Sequence, residues 1–347
     1  MQNILTWNTL LLASIVASMP AAHAADAPKI SYQITKQVPL GAPDKWDFVS
    51  FDPVAKRVYV SHGTEVTVVD GSAGTIAGHV SGLNMSHGVI AVPSLGRGYA
   101  DSGEPKTVIV FDLKTLKPLT TLPVGEDSDA IAFDAVTKRV FVMDADGAAF
   151  TAIDAQANKT LATAPLNAKP ESAVGDGAGH VFANLASSKE IARIDAATLK
   201  IAARWSIPSC ESPHGLAIDT VTHRLFVSCQ NSKLLAVSAD DGRVVATLPI
   251  GQGTDSAAFD PKRKLIFSSN ADGTLSVIAE RGADDYVALP SVATAPGART
   301  MTLDPDTGRL FLVTADVDQA RPSEKPGHAP HYSFKPGSVK LLILDPR

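Results

Sequence analysis

The stretch 129–142, DAIAFDAVTKRVFV, decides how this chain is read. Small or apolar side chains alternate through DAIAFD, break at the turn-forming DAVTKR and resume at RVFV, which predicts two short antiparallel strands joined by a tight turn. Variants return about every 42 residues: DFVSFDPVAKRVYVSH at 47–62, HGVIAVPSLGRGYADS at 87–102, ESAVGDGAGHVFANL at 171–185, HGLAIDTVTHRLFVSC at 214–229, DSAAFDPKRKLIFSSN at 255–270 and RTMTLDPDTGRLFLVT at 299–314. With 129–144 there are seven hairpins. The Asp that closes the first strand at Asp52, Asp134, Asp219, Asp260 and Asp304 is the residue such turns favour, because its carboxylate bonds backbone N–H groups just ahead of it.

Each hairpin is followed by a third strand ending near an Asp, as in EVTVVDGSAG and IARIDAATLK, and by a fourth such as PLTTLPVG or VVATLPIG. Four strands in a repeat of this length make a propeller blade. No helical stretch long enough for a parallel α/β crossover lies between them. The expected fold is all-β: a seven-bladed β-propeller with four antiparallel strands per blade. The seventh repeat stops after its third strand, SVKLLILDPR, while YQITKQVPLG at 32–41 resembles a fourth strand and precedes the first repeat. The N-terminal strand is therefore expected to complete blade seven and close the ring, covering an edge that would otherwise template aggregation.

Residues 1–24 differ from the rest. An apolar run from Leu10 to Val16 leads to a small-residue end at Ala22-His23-Ala24, an A-x-A cleavage pattern, although no Lys or Arg precedes Lys29. A signal peptide over 1–24 and a single propeller domain over 25–347 follow, with a periplasmic or secreted location and no transmembrane segment in the mature chain. The 347 residues carry a formal net charge of −5, which argues against nucleic acid as a partner. Cys210 and Cys229 suit an exported chain with one disulfide, worth about 3 kcal/mol in the chain-entropy account; a redox or metal-thiolate role for the pair is the alternative reading.

The repeats resemble the YVTN-type β-propeller family, and are similar to periplasmic YncE-like proteins, through VYVSH at 58–62, VFANL at 181–185 and the ending VVATLPIG at 244–251. The resemblance covers 30–347. It implies a propeller whose relatives include DNA-binding proteins and neighbours of redox or metal-handling systems, so it speaks to fold more than to activity.

In a propeller the innermost strand of every blade lines the channel, so the residues opening these strands converge on one rim. They are Asp47, His87, Asp129, Glu171, His214, Asp255 and Arg299. Such a ring is expected to hold a small ligand or one divalent metal ion, or simply to be a hydrated rim. The metal would fall at His87, Glu171 and His214; mixed imidazole and carboxylate ligands suit zinc, iron, copper or manganese better than magnesium. Arg299 could balance Asp47 and Asp255 or hold a ligand carboxylate or phosphate bidentately.

Blade seven carries a long insertion, ADVDQARPSEKPGHAPHYSFKPGS at 315–338, without apolar periodicity. It reads as a lid over the rim, bringing His328, His331 and Tyr332, or as a disordered excursion. His62 belongs to the same face by position, while Trp46 either walls the rim or packs between blades. No G-x-S-x-G elbow, Walker loop, H-E-x-x-H helix or C-x-x-C-H site is found. Two functions remain. One is a binding or scaffold propeller, expected as a monomer, that engages a small ligand, a metal or a periplasmic or outer-membrane protein. The other is a metal-dependent, lactonase-like hydrolase with its site at the channel rim.

Overall fold

The computed structural model of the chain describes residues 30–325 and 328–347; the expected leader at 1–24 lies outside them. Seven small antiparallel sheets stand in a ring, a seven-bladed β-propeller. The innermost strands are Val49–Asp52, Val89–Val92, Ser128–Asp134, Pro170–Gly175, Pro213–Asp219, Thr254–Asp260 and Thr300–Leu303. Each packs beside the next, and the last packs beside the first. Blade one runs its second and third strands together as Arg57–Asp70, whose first half pairs with Val49–Asp52 and whose second half pairs with Thr75–Ser86. Closure is as expected: Tyr32–Pro39 pairs with Lys340–Pro346, which pairs with Leu310–Thr314.

The hairpins are held as their composition requires. In blade three Ala132 faces Phe141 and Asp134 faces Arg139 across the pair. The Asp134 carboxylate accepts bonds from the Thr137 amide and hydroxyl, and Lys138 takes the left-handed conformation that ends the turn. Asp52, Asp219, Asp260 and Asp304 likewise accept backbone N–H bonds from the residues following them. One aromatic residue per second strand fills the space between blades: Tyr59, Tyr99, Phe141, Phe182, Phe226, Phe267 and Phe311 are all fully buried. Truncating a buried ring of this size typically costs about 3–5 kcal/mol.

Blade is tied to blade by an arginine at the start of the second strand. Arg57, Arg97, Arg139 and Arg309 donate to carbonyl oxygens of Leu113, Ala155, Ala196 and Gly71, each in the outer turn of the next blade. Arg224 does the same through Nε to Ala283 O. Cys210 and Cys229 form the disulfide, buried in the core of blade five, 19 residues apart. This settles the alternative of a free thiolate pair.

The insertion departs from a structureless excursion. Val317–Arg321 pairs with His331–Phe334 as a second-tier hairpin. Phe334 meets Trp46 edge-on at 4.9 Å, so Trp46 is packed under the hairpin. Gly297 is what admits Phe334: a Cβ there would sit 2.5 Å from the ring. The strands are short and mostly exposed, so no apolar alternation announced them.

Candidate functional site

The rim residues are placed by the backbone of the innermost strands, and a second layer of polar groups fixes that backbone. Asp101 Oδ1 accepts the amides of His87 and Gly88 at 2.7 and 3.0 Å. Asn184 donates to the carbonyls of His214 and Gly215, Ser228 accepts the Gly215 amide, and the Ser269 hydroxyl donates to the Arg299 carbonyl. Phe48 donates its amide to the His87 carbonyl, joining blades one and two at the mouth. Gly88 is needed for the next junction, since a Cβ there would lie 2.0 Å from Asp129 O.

Three of the seven rim residues come together. His87 Nδ1 lies 2.8 Å from Asp47 Oδ2. Asp47, His87 and Asp129 each offer one ligand atom, and all three atoms lie within 4.8 Å of one another. This is the group of this kind among the described residues, and it differs from the expected set of His87, Glu171 and His214. The physical reason is ring order: blades one, two and three are contiguous, whereas Glu171 and His214 belong to blades four and five. Nδ1 of His214 faces its own loop, 2.8 Å from Ser212 O. Arg299 Nε lies 3.0 Å from Asp255 Oδ2, the charge-balancing pair.

Four carboxylates share this mouth with one arginine and two histidines. Burial raises the Asp129 carboxyl well above its usual range, and repulsion from Asp47 and Glu171 adds to it. Burial also raises Asp47, opposed by the hydrogen bond to His87, and raises Glu171, opposed by the nearby His214. His87 moves to about 8 because its bond to Asp47 favours the imidazolium. Arg299 is raised chiefly by Asp255. A rim in which each carboxylate suppresses ionisation of its neighbours favours protons or a cation. The residues present fit a cation: Asp47, His87 and Asp129 each bring one ligand atom, and His87 Nε2 is buried without a hydrogen bond among the described residues.

Below the rim the channel opens into a cavity of about 340 Å³, lined one residue deeper by Phe48, Gly88, Ala130 and Ser172 and reaching Phe259 and Leu303. Above it, two further cavities adjoin across Arg299 and His331. One of about 610 Å³ lies between the insertion and blades five to seven, and includes His328. The other, of about 400 Å³, is walled by Trp46, Tyr332 and Phe334. The insertion thus sits on the rim face with His328, His331 and Tyr332 all on cavity walls.

One residue expected on the same face is not open to it. His62 is fully buried, with Nδ1 2.9 Å from Thr67 Oγ1, and burial lowers its pKa. Sequence reasoning did not single out Asp101, Asn184, Ser228 and Ser269. Their signal was a polar residue late in an otherwise apolar second strand, in YADS, VFANL, FVSC and FSSN.

No protein-family profile matches the chain, and no curated protein sequence matches it. Solved structures do. A structure titled Kuenenia stuttgartiensis hydrazine synthase aligns with 76% of this chain and 91% of that one, at 15% identity and a TM-score of 0.67. A chain in a crystal structure of a mitotic checkpoint complex aligns with 97% of this chain and 99% of that one, at 14% identity and a TM-score of 0.71. At such identities the likeness concerns the fold alone. The class is a seven-bladed β-propeller with a polar channel mouth, a fold consistent with a binding or scaffold role.

Proposed function

We propose that the chain is an exported, YncE-like binding propeller whose channel mouth holds a divalent cation through Asp47, His87 and Asp129, beneath a face that receives a small ligand or a protein partner. The observation that carries this is the close grouping of those three side chains, with a buried ring nitrogen left unbonded. The buried disulfide is compatible with export, and no helix among the described residues is long and apolar enough to cross a membrane. Ligands must shed their protons to bind a metal, so His87 and Asp129 make the affinity depend on pH. Both carry raised pKa values, so uptake should strengthen as pH rises toward about 8 and weaken below it.

Metal analysis of the purified mature protein is the test. Stoichiometric zinc, manganese, iron or copper, lost on chelation and reduced at least tenfold in affinity by Asp129→Asn, is the expected result. A protein that takes up none of these ions at pH 8 would refute the reading. The hydrolase alternative draws on the Asp47–His87 pair. A cation there would supply Lewis acidity, and Glu171, whose carboxyl burial raises, would hold or release the proton. Turnover of a simple lactone that disappears in Glu171→Gln while the metal is retained would favour it over binding alone.

A further inference from the structure

We infer that the cleft between the insertion hairpin and the rim is a binding site for a small oxyanion, a carboxylate or a phosphate group. The inference names a ligand class for the same face, and so rests on the reading that this face binds; it does not require the cation.

Two walls of the cleft converge on it with donors. On the hairpin, Arg321 and His331 are directly opposite partners across the two strands, and so project from the same face of the hairpin. On the ring, Arg299 lines the same cleft, paired through Nε with Asp255. Arg321 and His331 have no side-chain partner among the described residues. Lys325 adds a further cation and Glu324 the one carboxylate that lines this cavity directly.

Arg321 and His331 stand exposed and opposite each other over the cleft, in a chain whose net charge is negative. The planar guanidinium of Arg321, without a partner among the described residues, matches the two oxygens of a carboxylate or phosphate, in short, charge-assisted hydrogen bonds. With about 610 Å³ available the cleft falls in the range of small-molecule sites, so the anionic group would be the head of a larger ligand. Asp255 takes Arg299 at Nε, so the free donors of the cleft are those of the hairpin.

Isothermal titration of succinate and of inorganic phosphate into the mature protein tests this, in chelator-treated protein and again after zinc loading. One-to-one binding of at least one of them is expected, weakened about tenfold or more by Arg321→Gln, the loss of one charge-assisted contact. His331→Gln should weaken it less, and Arg243→Gln, exposed and remote from the cleft, should leave it unchanged. Binding of succinate alone assigns a carboxylate ligand and of phosphate alone a phosphate ligand. Absence of binding by both at millimolar concentration overturns the inference, as does wild-type affinity in both Arg321→Gln and His331→Gln. Anion binding by protein that takes up no metal would sink the cation and leave the oxyanion site; stoichiometric metal without anion binding would do the reverse.

Discussion

Asp129 and Asp134 stand five residues apart in one hairpin and do unrelated work. Asp134 is consumed by the turn, accepting the Thr137 amide and hydroxyl. Asp129 faces the mouth, where burial and neighbouring carboxylates hold its proton. Asp144, at the end of the next strand, shows the cost of placing such a group in the interior. It is fully buried, accepts from the Gly125 amide and the Thr151 hydroxyl, and burial raises it to about 6. A folded pKa above the unfolded value near 4 means that the native state binds the extra proton, so stability from this group is present below pH 4 and lost as pH rises through 6. Asp144→Asn removes that titration while keeping an acceptor for Gly125. Denaturant unfolding should find the variant gaining on the wild-type protein between pH 4 and pH 7, by about 2 kcal/mol. A difference that stays constant over that range would contradict the assignment.

At the scale of the element, the second strand is the organising unit of each blade. It carries the buried ring at its centre, the rim-fixing polar group toward one end and, in five blades, the inter-blade arginine at the other. Arg139 donates to the carbonyls of Ala196 at 2.5 Å and Ala197 at 2.7 Å in the neighbouring blade. Charged hydrogen bonds of this kind contribute about 1.5–3 kcal/mol. Arg139→Ala should therefore lower unfolding stability by about that amount, and Arg139→Lys should recover only part, because its more strongly hydrated ammonium is costlier to bring to these carbonyls. Equal stability of all three proteins in a denaturant titration would show the strap to be idle. Blade four has His180 at the corresponding position, turned instead to Asp176, with Arg193 against its ring, so the strap is a recurring device and is not universal.

At the scale of the whole molecule, closure is the decisive contact. Tyr32–Pro39 covers the outer edge of Lys340–Pro346, and Tyr32, Val38 and Leu40 bury apolar surface there. Removing 30–41 exposes a strand edge and uncovers part of the core, so the truncated protein should unfold at markedly lower denaturant and aggregate. A synthetic peptide of 30–41 should restore stability by re-forming the pairing. A truncated protein as stable and soluble as the full chain would show that the ring does not depend on this strand. The disulfide acts within one blade and cannot replace that closure.

The propeller, its seven blades, its closing strand and its cysteine pair were legible in the amino-acid order, because a repeat written seven times averages out local ambiguity and period-two alternation specifies which side chains enter the core. Asp52, Asp134 and their counterparts were legible for a similar reason: an Asx turn is a contact within four residues. The convergence of Asp47, His87, Asp129, Glu171, His214, Asp255 and Arg299 also followed from topology, since a ring brings equivalent positions to one mouth. Which of them meet was decided only in three dimensions. Spacing of about 42 residues is the same between all neighbours and says nothing about distance across the pore, so the grouping of Asp47, His87 and Asp129 depended on the actual packing of blades one to three. The burial of His62 and the hairpin of the insertion likewise appear only in the folded chain. The hairpin is seated by contacts with residues remote in sequence, Phe334 against Trp46 and Gly297.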